Sequence, residues 1–294
     1  MHKHNFETAY QEGNIMTEKI LSENDLVTFE RELRREEKSK ATIEKYLRDA
    51  KAFFAFVGEQ IISKEVVIAF KQHLVEAQYA VSSINSMLAS INSLLAFLGL
   101  AECKAKNLRM QKQTYCTEDK ELTKEEYLRL LEAAKNQPQL MLVMETICST
   151  GIRVSELKYF TVEAVRRGEI TISCKNKTRN IIVPGKLKKL LLDYAAKEKI
   201  RMGTIFITKG GKPLDRCNIW AQMKRLCDKA RVKKSKVFPH NLRKLFARTF
   251  YGIEKDIAKL ADILGHSSVN TTRIYIMSTG KEHRQKIEKL GLVI

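Results

Sequence analysis

Seven apolar residues from Ile43 to Val57 fall at i, +3, +4, +7, +10, +11 and +14, and seven more repeat that spacing from Ile84 to Leu98. They are Ile43, Tyr46, Leu47, Ala50, Phe53, Phe54 and Val57, then Ile84, Met87, Leu88, Ile91, Leu94, Leu95 and Leu98. A stripe of this kind runs along one face of an α-helix and is wide enough to face a core. Ser39 is placed to cap the first helix, and Ser82 or Ser83 the second. Weaker helical patterns at about 23–36 and 64–77 complete a bundle of four short helices. The spacing is the general helix period, so it marks no internal repeat.

Periodicity is lost from Ala101 to Lys120, where Lys104, Lys106, Arg109 and Lys112 accumulate. Residues 104–120 read as an extended basic linker, suited to run along a phosphate backbone. Beyond it, Thr123 and Glu126 form a capping box, with Leu122 and Tyr127 as the hydrophobic staple. A helix follows, then another from about Leu140 to Gly151, where a left-handed residue ends it, and a short one from Val154. The period then changes to two: Ile170 and Ile172 alternate with polar residues, a turn falls at about Asn176, and Ile181 to Val183 returns as a hairpin. Ile205 to Ile207 is a candidate third strand. Helices resume near 186–197, 218–230, 240–251, 255–264 and 269–276. Trp220, at helical spacing with Ile219, Met223, Leu226 and Cys227, is expected in the core. The fold class is therefore mainly α with a small antiparallel β-sheet.

The 294 residues suffice for two ordinary domains, and 44% hydrophobic content supports real cores. The division expected is a disordered tail at 1–16, a helical domain at 17–103, the linker at 104–120 and a larger α+β domain at 121–294. Met16 offers a second plausible start. Lys and Arg total 53 against 34 Asp and Glu, a formal net charge of +19. That excess points to a polyanion, either nucleic acid or an anionic membrane face. No apolar run approaches the roughly 18 residues of a membrane span, and the N-terminus lacks the apolar core of a signal peptide. A cytoplasmic protein is expected. Cys103, Cys116, Cys148, Cys174, Cys217 and Cys227 show no metal-binding spacing, so free thiols are expected and no zinc site or other metal.

Six residues in one chain order then stand out: Arg153, Lys175, His240, Arg243, His266 and Tyr275. Arg153 lies in TGIRVSEL, His240 and Arg243 in PHNLRKLFA, and His266 and Tyr275 in LGHSSVNTTRIY. Guanidinium and imidazole groups suit a phosphodiester in a transition state, and a tyrosine can be its nucleophile. Taken singly, each has a plain structural reading: a surface arginine, a solvated lysine, a helix-capping histidine, a core tyrosine. The complete ordered set makes those readings improbable together.

At these strings the chain resembles the tyrosine recombinases, the phage-integrase and Xer family. TGIRVSEL matches the family's first arginine box, His240-Asn-Leu-Arg243 its HxxR box, and Leu264-Gly265-His266 with Tyr275 nine positions later its last box. The hairpin matches the family's lysine-bearing turn, and the N-terminal bundle resembles its SAM-like core-binding domain. The resemblance covers about residues 20–294. Two positions depart from it. Where family hairpins often read Gly-Lys-Gly-x-Lys, this chain has Cys174-Lys175-Asn176-Lys177, which favours Lys175 and leaves Lys177 open. The residue after the HxxR arginine, often histidine, is Lys244.

The resemblance implies cleavage and rejoining of double-stranded DNA by the C-terminal domain. Arg153 and Arg243 would clamp the non-bridging oxygens, because a guanidinium presents a planar fork. Tyr275 would attack phosphorus to form a 3′-phosphotyrosyl bond, with His240 taking its proton. Lys175 would protonate the departing 5′ oxygen, and His266 would hydrogen-bond a phosphate oxygen. Glu156, three residues after Arg153, would hold a cation in place. No cofactor is implied, since the tyrosyl ester retains the energy of the broken linkage. The family works as a homotetramer on two synapsed sites through a Holliday junction, and a monomer or dimer is expected when free. The lysines at 186, 188 and 189 and the basic cluster Arg231, Lys233, Lys234 and Lys236 would track phosphates. The tail from Gly280 to Ile294, with Ile287, Leu290, Leu292 and Val293 at near-helical spacing, would dock on a neighbouring subunit. The rival readings are a topoisomerase with a similar residue set and an architectural DNA-binding protein without catalysis.

Overall fold

The computed structural model describes residues 19–109, 118–174 and 177–292. The tail at 1–16 and the middle of the linker lie outside these residues. The chain divides into two compact units between Lys112 and Gln113.

The first unit contains α1 (Glu23–Arg35), α2 (Lys40–Val57), α3 (Lys64–Glu76) and α4 (Val81–Phe97). A capping box opens α1: Ser22 Oγ accepts from the Asp25 amide at 3.3 Å, and Asp25 Oδ2 accepts from the Ser22 amide at 2.8 Å. Ser39 caps α2 as expected, accepting from the Thr42 amide. Neither Ser82 nor Ser83 caps α4. The first turn already closes on the Ala80 carbonyl, so both serines sit exposed inside the helix, and Ala80 supplies no side-chain cap. The two apolar stripes pack α2 against α4. Phe29, Phe53, Phe70, Leu88, Ile91, Leu94 and Leu95 are each at most 2% exposed. Phe53 and Phe70 meet edge-on at 5.1 Å, a favoured aromatic geometry. A polar link crosses this core. Buried Asp49 accepts from Lys45 Nζ at 2.6 Å and Ser90 Oγ at 2.9 Å, and Lys45 also donates to the Ser86 carbonyl.

Residues 104–109, the first part of the expected linker, are extended and bonded to α4. Asn92 donates to the Ala105 carbonyl and accepts from its amide, both at 3.0 Å. Asn85 does the same to Leu108, at 3.0 and 2.8 Å. The two asparagines are two helical turns apart, about 10 Å of rise. Three extended residues span about the same length, so the strap fits its helix in register. Lys64 Nζ adds a bond to the Lys104 carbonyl.

The second unit opens with the capping box of α5 (Lys124–Ala133), Thr123 and Glu126 bonding reciprocally at 2.9 and 3.2 Å. Helix α6 (Pro138–Thr150) ends at Gly151, whose φ of +65° is left-handed. A Cβ there would lie 2.4 Å from a ring carbon of Phe246, so both conformation and packing require glycine. A 3-10 helix, Val154–Tyr159, and α7 (Val162–Arg167) lead into the hairpin of β1 (Glu169–Cys174) and β2 (Lys177–Ile182). The strands are antiparallel, with Ile170 opposite Ile181, Ile172 opposite Arg179 and Cys174 opposite Lys177. The sheet has two strands among the described residues. Residues 205–207 do not extend it. Ile205 donates its amide to the Phe160 carbonyl, and single bridges pair Thr204 with Thr161 and Ile207 with Pro213.

The remaining helices are α8 (Gly185–Lys197), α9 (Arg216–Arg225), α10 (Cys227–Ala230), α11 (Pro239–Glu254), α12 (Ile257–Leu264), α13 (Val269–Tyr275) and α14 (Gly280–Glu288). The helix expected at 218–230 starts earlier, at Arg216, where the Asp215 side chain accepts from the Cys217 and Asn218 amides, and it breaks at Leu226. Trp220 is not in the core: it is 48% exposed, whereas Ile219, Met223, Leu226 and Cys227 are buried. Those four fall at i, +4, +7 and +8, one face of the helix, and Trp220 stands about 100° away from Ile219. On α14 and after it, Ile287, Leu290 and Leu292 are exposed. No helix among the described residues is long and apolar enough to cross a membrane, and no three metal-ligating side chains gather there.

The strap generates a stability prediction. Asn92→Ala leaves the amide and carbonyl of buried Ala105 without partners, at a cost of about 1–3 kcal/mol for each buried group that stays unpaired. Thermal melting of the variant should show the loss. Hydrogen exchange should speed up at Ala105 while the α2–α4 core amides keep their order of protection; unchanged exchange at Ala105 would contradict the strap.

Candidate active site

The C-terminal end of α12 is the centre of the site. A helix leaves its last carbonyls without intrahelical partners and carries partial negative charge there. Three consecutive carbonyls at this end each meet a guanidinium. Arg179 NH1 donates to Ile263 O at 2.5 Å, Arg243 NH2 to Leu264 O at 2.6 Å, and Arg153 NH2 to Gly265 O at a long 3.5 Å. Gly265 has a φ of +65°, and a Cβ there would sit 2.8 Å from the Arg179 side chain. Glycine thus both turns the chain and lets the arginine lie against it.

Each arginine reaches this end from a different element. Arg153 precedes the 3-10 helix that follows the α6 terminus, and its side chain is 44% exposed. Arg243 projects from α11 and is only 1% exposed. Its NH1 donates to Gly151 O at 2.5 Å, and its NH2 also meets His266 Nε2 at 3.0 Å. Its Nε–H, fully buried, has no acceptor among the described residues. Burial first, and Arg153 second, lower the Arg243 pKa to about 10, so it remains a cation at neutral pH. Arg179 comes from β2. Buried Glu156 lies between two of them, accepting from Arg153 NH1 at 3.1 Å and Arg179 NH2 at 2.6 Å.

The histidines flank Tyr275. Pro239 and extended Phe238 start α11, which puts His240 and Arg243 one turn apart on one face. Buried Asn241 pins that turn by donating to the Lys120 and Lys236 carbonyls at 2.6 and 2.7 Å. Lys244 forms an ion pair with Glu121 at 3.0 Å. His266 follows Gly265, and its Nδ1 lies 2.9 Å from Thr272 Oγ1. Arginine can only donate, so Nε2 of His266 accepts from Arg243 and Nδ1 carries the proton toward Thr272. Desolvation, then Arg243 and Arg153, push the His266 pKa down to about 4. Desolvation followed by Arg243, Lys244 and Arg153 also lowers that of His240, although an edge of its ring stays exposed. Both imidazoles are neutral at neutral pH.

Tyr275 ends α13 and is 8% exposed. Its ring centroid lies 5.1 Å from that of His240 and 4.9 Å from that of His266, and the Arg243 guanidinium carbon is 5.9 Å away. Its hydroxyl has no hydrogen-bond partner among the described residues. Thr272, one turn earlier on the same face, is wholly buried. A cleft of about 560 Å³ opens beside the cluster, lined by Arg153, Arg216, Trp220, Phe238, His240 and Arg243 among others.

Five of the six residues singled out from the sequence, Arg153, His240, Arg243, His266 and Tyr275, converge here. Lys175 lies outside the described residues, as does the side chain of Lys177. His266 was expected to bond a phosphate oxygen, but in this arrangement its Nε2 is engaged by Arg243. Arg179 and Thr272 went unnoticed in the sequence. The signal for Arg179 was the strand period: it sits opposite Ile172, on the face that Ile170 and Ile181 bury.

Residues 120–282 match the model of the phage integrase family, and residues 26–102 match that of the phage integrase N-terminal SAM-like domain. The chain belongs to the phage integrase family. It is 30% identical over 286 residues to tyrosine recombinase XerA of Pyrococcus furiosus, covering 95% of this chain and 98% of that one. It is also 30% identical over 258 residues to tyrosine recombinase XerC of Herpetosiphon aurantiacus, covering 80% and 83%. A lambda integrase tetramer bound to a Holliday junction shares the fold, with a TM-score of 0.70 at 19% identity over 88% of this chain and 78% of that one.

The depressed histidines set a pH dependence for the fold. The His266 pKa lies near 4 in the folded chain against an ordinary 6.5. Between those values the unfolded chain binds a proton that the folded chain does not, so folding stability rises with pH across that window. The contribution is complete above about pH 6.5 and lost as pH falls through about 4. His266→Gln should flatten the slope of melting temperature against pH between 4 and 6.5. An unaltered slope would show that the imidazole is not held neutral.

Proposed function

We propose that this chain is a site-specific DNA recombinase that breaks and rejoins double-stranded DNA through a covalent tyrosyl intermediate. The observation that carries the reading is the seat of Tyr275. Its ring lies between two neutral imidazoles and beside a buried guanidinium, and its hydroxyl is uncommitted. The net charge of +19 supports a polyanionic substrate.

In the proposed reaction the Tyr275 oxygen attacks the scissile phosphorus. Its proton passes to His240, which is neutral and able to accept it. Arg153 and Arg243 stabilise the charge that builds on the non-bridging oxygens. The two play unequal parts: Arg243 is a buried, fixed charge held by the Gly151 and Leu264 carbonyls, whereas Arg153 is half-exposed and can turn toward a phosphate. The P–O5′ bond breaks, Lys175 or Lys177 from the hairpin protonates the departing oxygen, and a 3′-phosphotyrosyl bond remains. The 5′ hydroxyl of a partner strand reverses these steps, with no nucleotide or metal required to restore the linkage. His266 supports Arg243 as a hydrogen-bond acceptor.

The domain assignment that goes with this reading is a core-binding domain at 17–103, the basic linker at 104–120 and the catalytic domain at 121–294. Four copies would join two DNA sites and exchange strands through a Holliday junction. The exposed apolar residues Ile287, Leu290 and Leu292 support docking of the C-terminal tail on a neighbouring copy.

The test is covalent capture. The protein is incubated with fragments of its host genome that carry nicks, so that cleavage releases a short strand and cannot be reversed, and adducts are mapped. Wild type should form a phosphotyrosyl adduct at a defined site. Tyr275→Phe should form none while binding the same DNA. Arg243→Lys keeps the charge and loses the fork, and should slow adduct formation by about 10²–10³-fold, the loss typical of one preorganised donor. The absence of any adduct would leave an architectural DNA-binding protein, and supercoil relaxation by a monomer without site preference would leave a topoisomerase.

A further inference from the structure

We infer that Arg179 is a positioning residue for the two guanidiniums of the active site, acting through Glu156 and the Ile263 carbonyl. This rests on the recombinase reading above, and it assigns a role to a residue outside the six-residue set.

Arg179 makes two bonds at once. NH2 holds Glu156 Oε2 at 2.6 Å, and NH1 holds Ile263 O at 2.5 Å. Glu156 in turn fixes Arg153 twice, accepting from its backbone amide at 2.7 Å and from NH1 at 3.1 Å. The neighbouring carbonyl, Leu264 O, holds Arg243. One planar fork on β2 therefore ties the support of Arg153 to the helix end that supports Arg243. A lysine has the charge for either bond but no fork to make both in this geometry. Arg179 also has little freedom to move elsewhere, since its side chain is 15% exposed and lies against Gly265.

Electrostatics leads to the same role. Glu156 pairs with Arg153 and Arg179, and its charge also reaches Arg243. With Arg179 removed, Arg153 would be the cationic partner left to Glu156 among the described residues, and the carboxylate would draw it inward, away from a phosphate. Arg179 shares that carboxylate and leaves Arg153 NH2 with only a long contact to Gly265 O. A charge that never touches DNA thereby keeps another available to it.

The experiment uses the full-length protein and the duplex mapped by covalent capture, prepared with either a normal phosphodiester or a methylphosphonate at the scissile position. The methylphosphonate lacks one charged non-bridging oxygen, so it needs the guanidiniums less. Arg179→Lys should form adduct on the phosphodiester about 10²-fold more slowly in a single turnover, the order expected when a group is misplaced by about 1 Å. Its DNA affinity should stay within about threefold of wild type, and on the methylphosphonate the two proteins should differ by less than about threefold, as a purely electrostatic defect predicts. A wild-type rate on the phosphodiester would overturn the proposal. So would an equal loss on both linkages, which would place the defect in the fold or in leaving-group protonation. If Arg179→Lys melts below the assay temperature, Glu156→Gln cuts the same link from its other end and is read by the same two substrates. Failure of wild type to form any adduct would instead overturn the recombinase reading itself.

Discussion

The end of one short helix holds the site together. Ile263, Leu264 and Gly265 present carbonyls that α12 cannot satisfy, and three arginines from three separate elements donate to them. The arrangement solves two problems at once. The helix end gains donors for its bare acceptors and cations against its partial negative charge. The arginines, which would repel one another in a low-dielectric pocket, gain dipoles and a shared carboxylate. Arg243 shows the scale of the problem, since a fully buried guanidinium is costly unless nearly every N–H finds an acceptor.

Around that centre, the backbone supplies the constraints that side chains need. Gly151 and Gly265 both adopt left-handed conformations where a Cβ would strike Phe246 or Arg179. The first of them ends α6 and turns its own carbonyl to Arg243; the second ends α12 and delivers His266. Each turn thus contributes a carbonyl ligand for an arginine in addition to redirecting the chain. Asn241 does comparable work at the start of α11, fixing the turn that carries His240.

Much of this was legible in the sequence, and the pattern of misses has physical causes. Apolar spacing placed α2 and α4 because burial on one face dominates a helix's position. Cap identity was less secure: Ser39 caps α2, but α4 begins before Ser82 because backbone bonds to Ala80 close its first turn without a side chain. Helical spacing groups Trp220 with Ile219, Met223, Leu226 and Cys227 as core, yet a rotation of one residue puts it on the cleft wall. The strand at 205–207 satisfied the pattern for burial, and burial it has, but its backbone bonds go to Phe160. Arg153, His240, Arg243, His266 and Tyr275 were found through short local strings. Arg179 and Thr272 act through other side chains, and no string marks them: strand alternation puts Arg179 on the buried face of the hairpin, but its partners become visible only when contacts between distant elements are known. Lys175 carries the sequence expectation alone.

The tautomer of His266 has a wider consequence. With Nδ1–H toward Thr272 and Nε2 receiving Arg243, the ring is locked out of the charged state across the physiological range, and His240 leans the same way. Field and proton traffic are thereby divided between different chemistries. Guanidiniums, which do not titrate near neutrality, set a steady electric potential. Imidazoles, empty of charge, remain ready to receive a hydrogen ion. A cell's pH can drift by a unit around neutrality and the charge on His266 will hardly change.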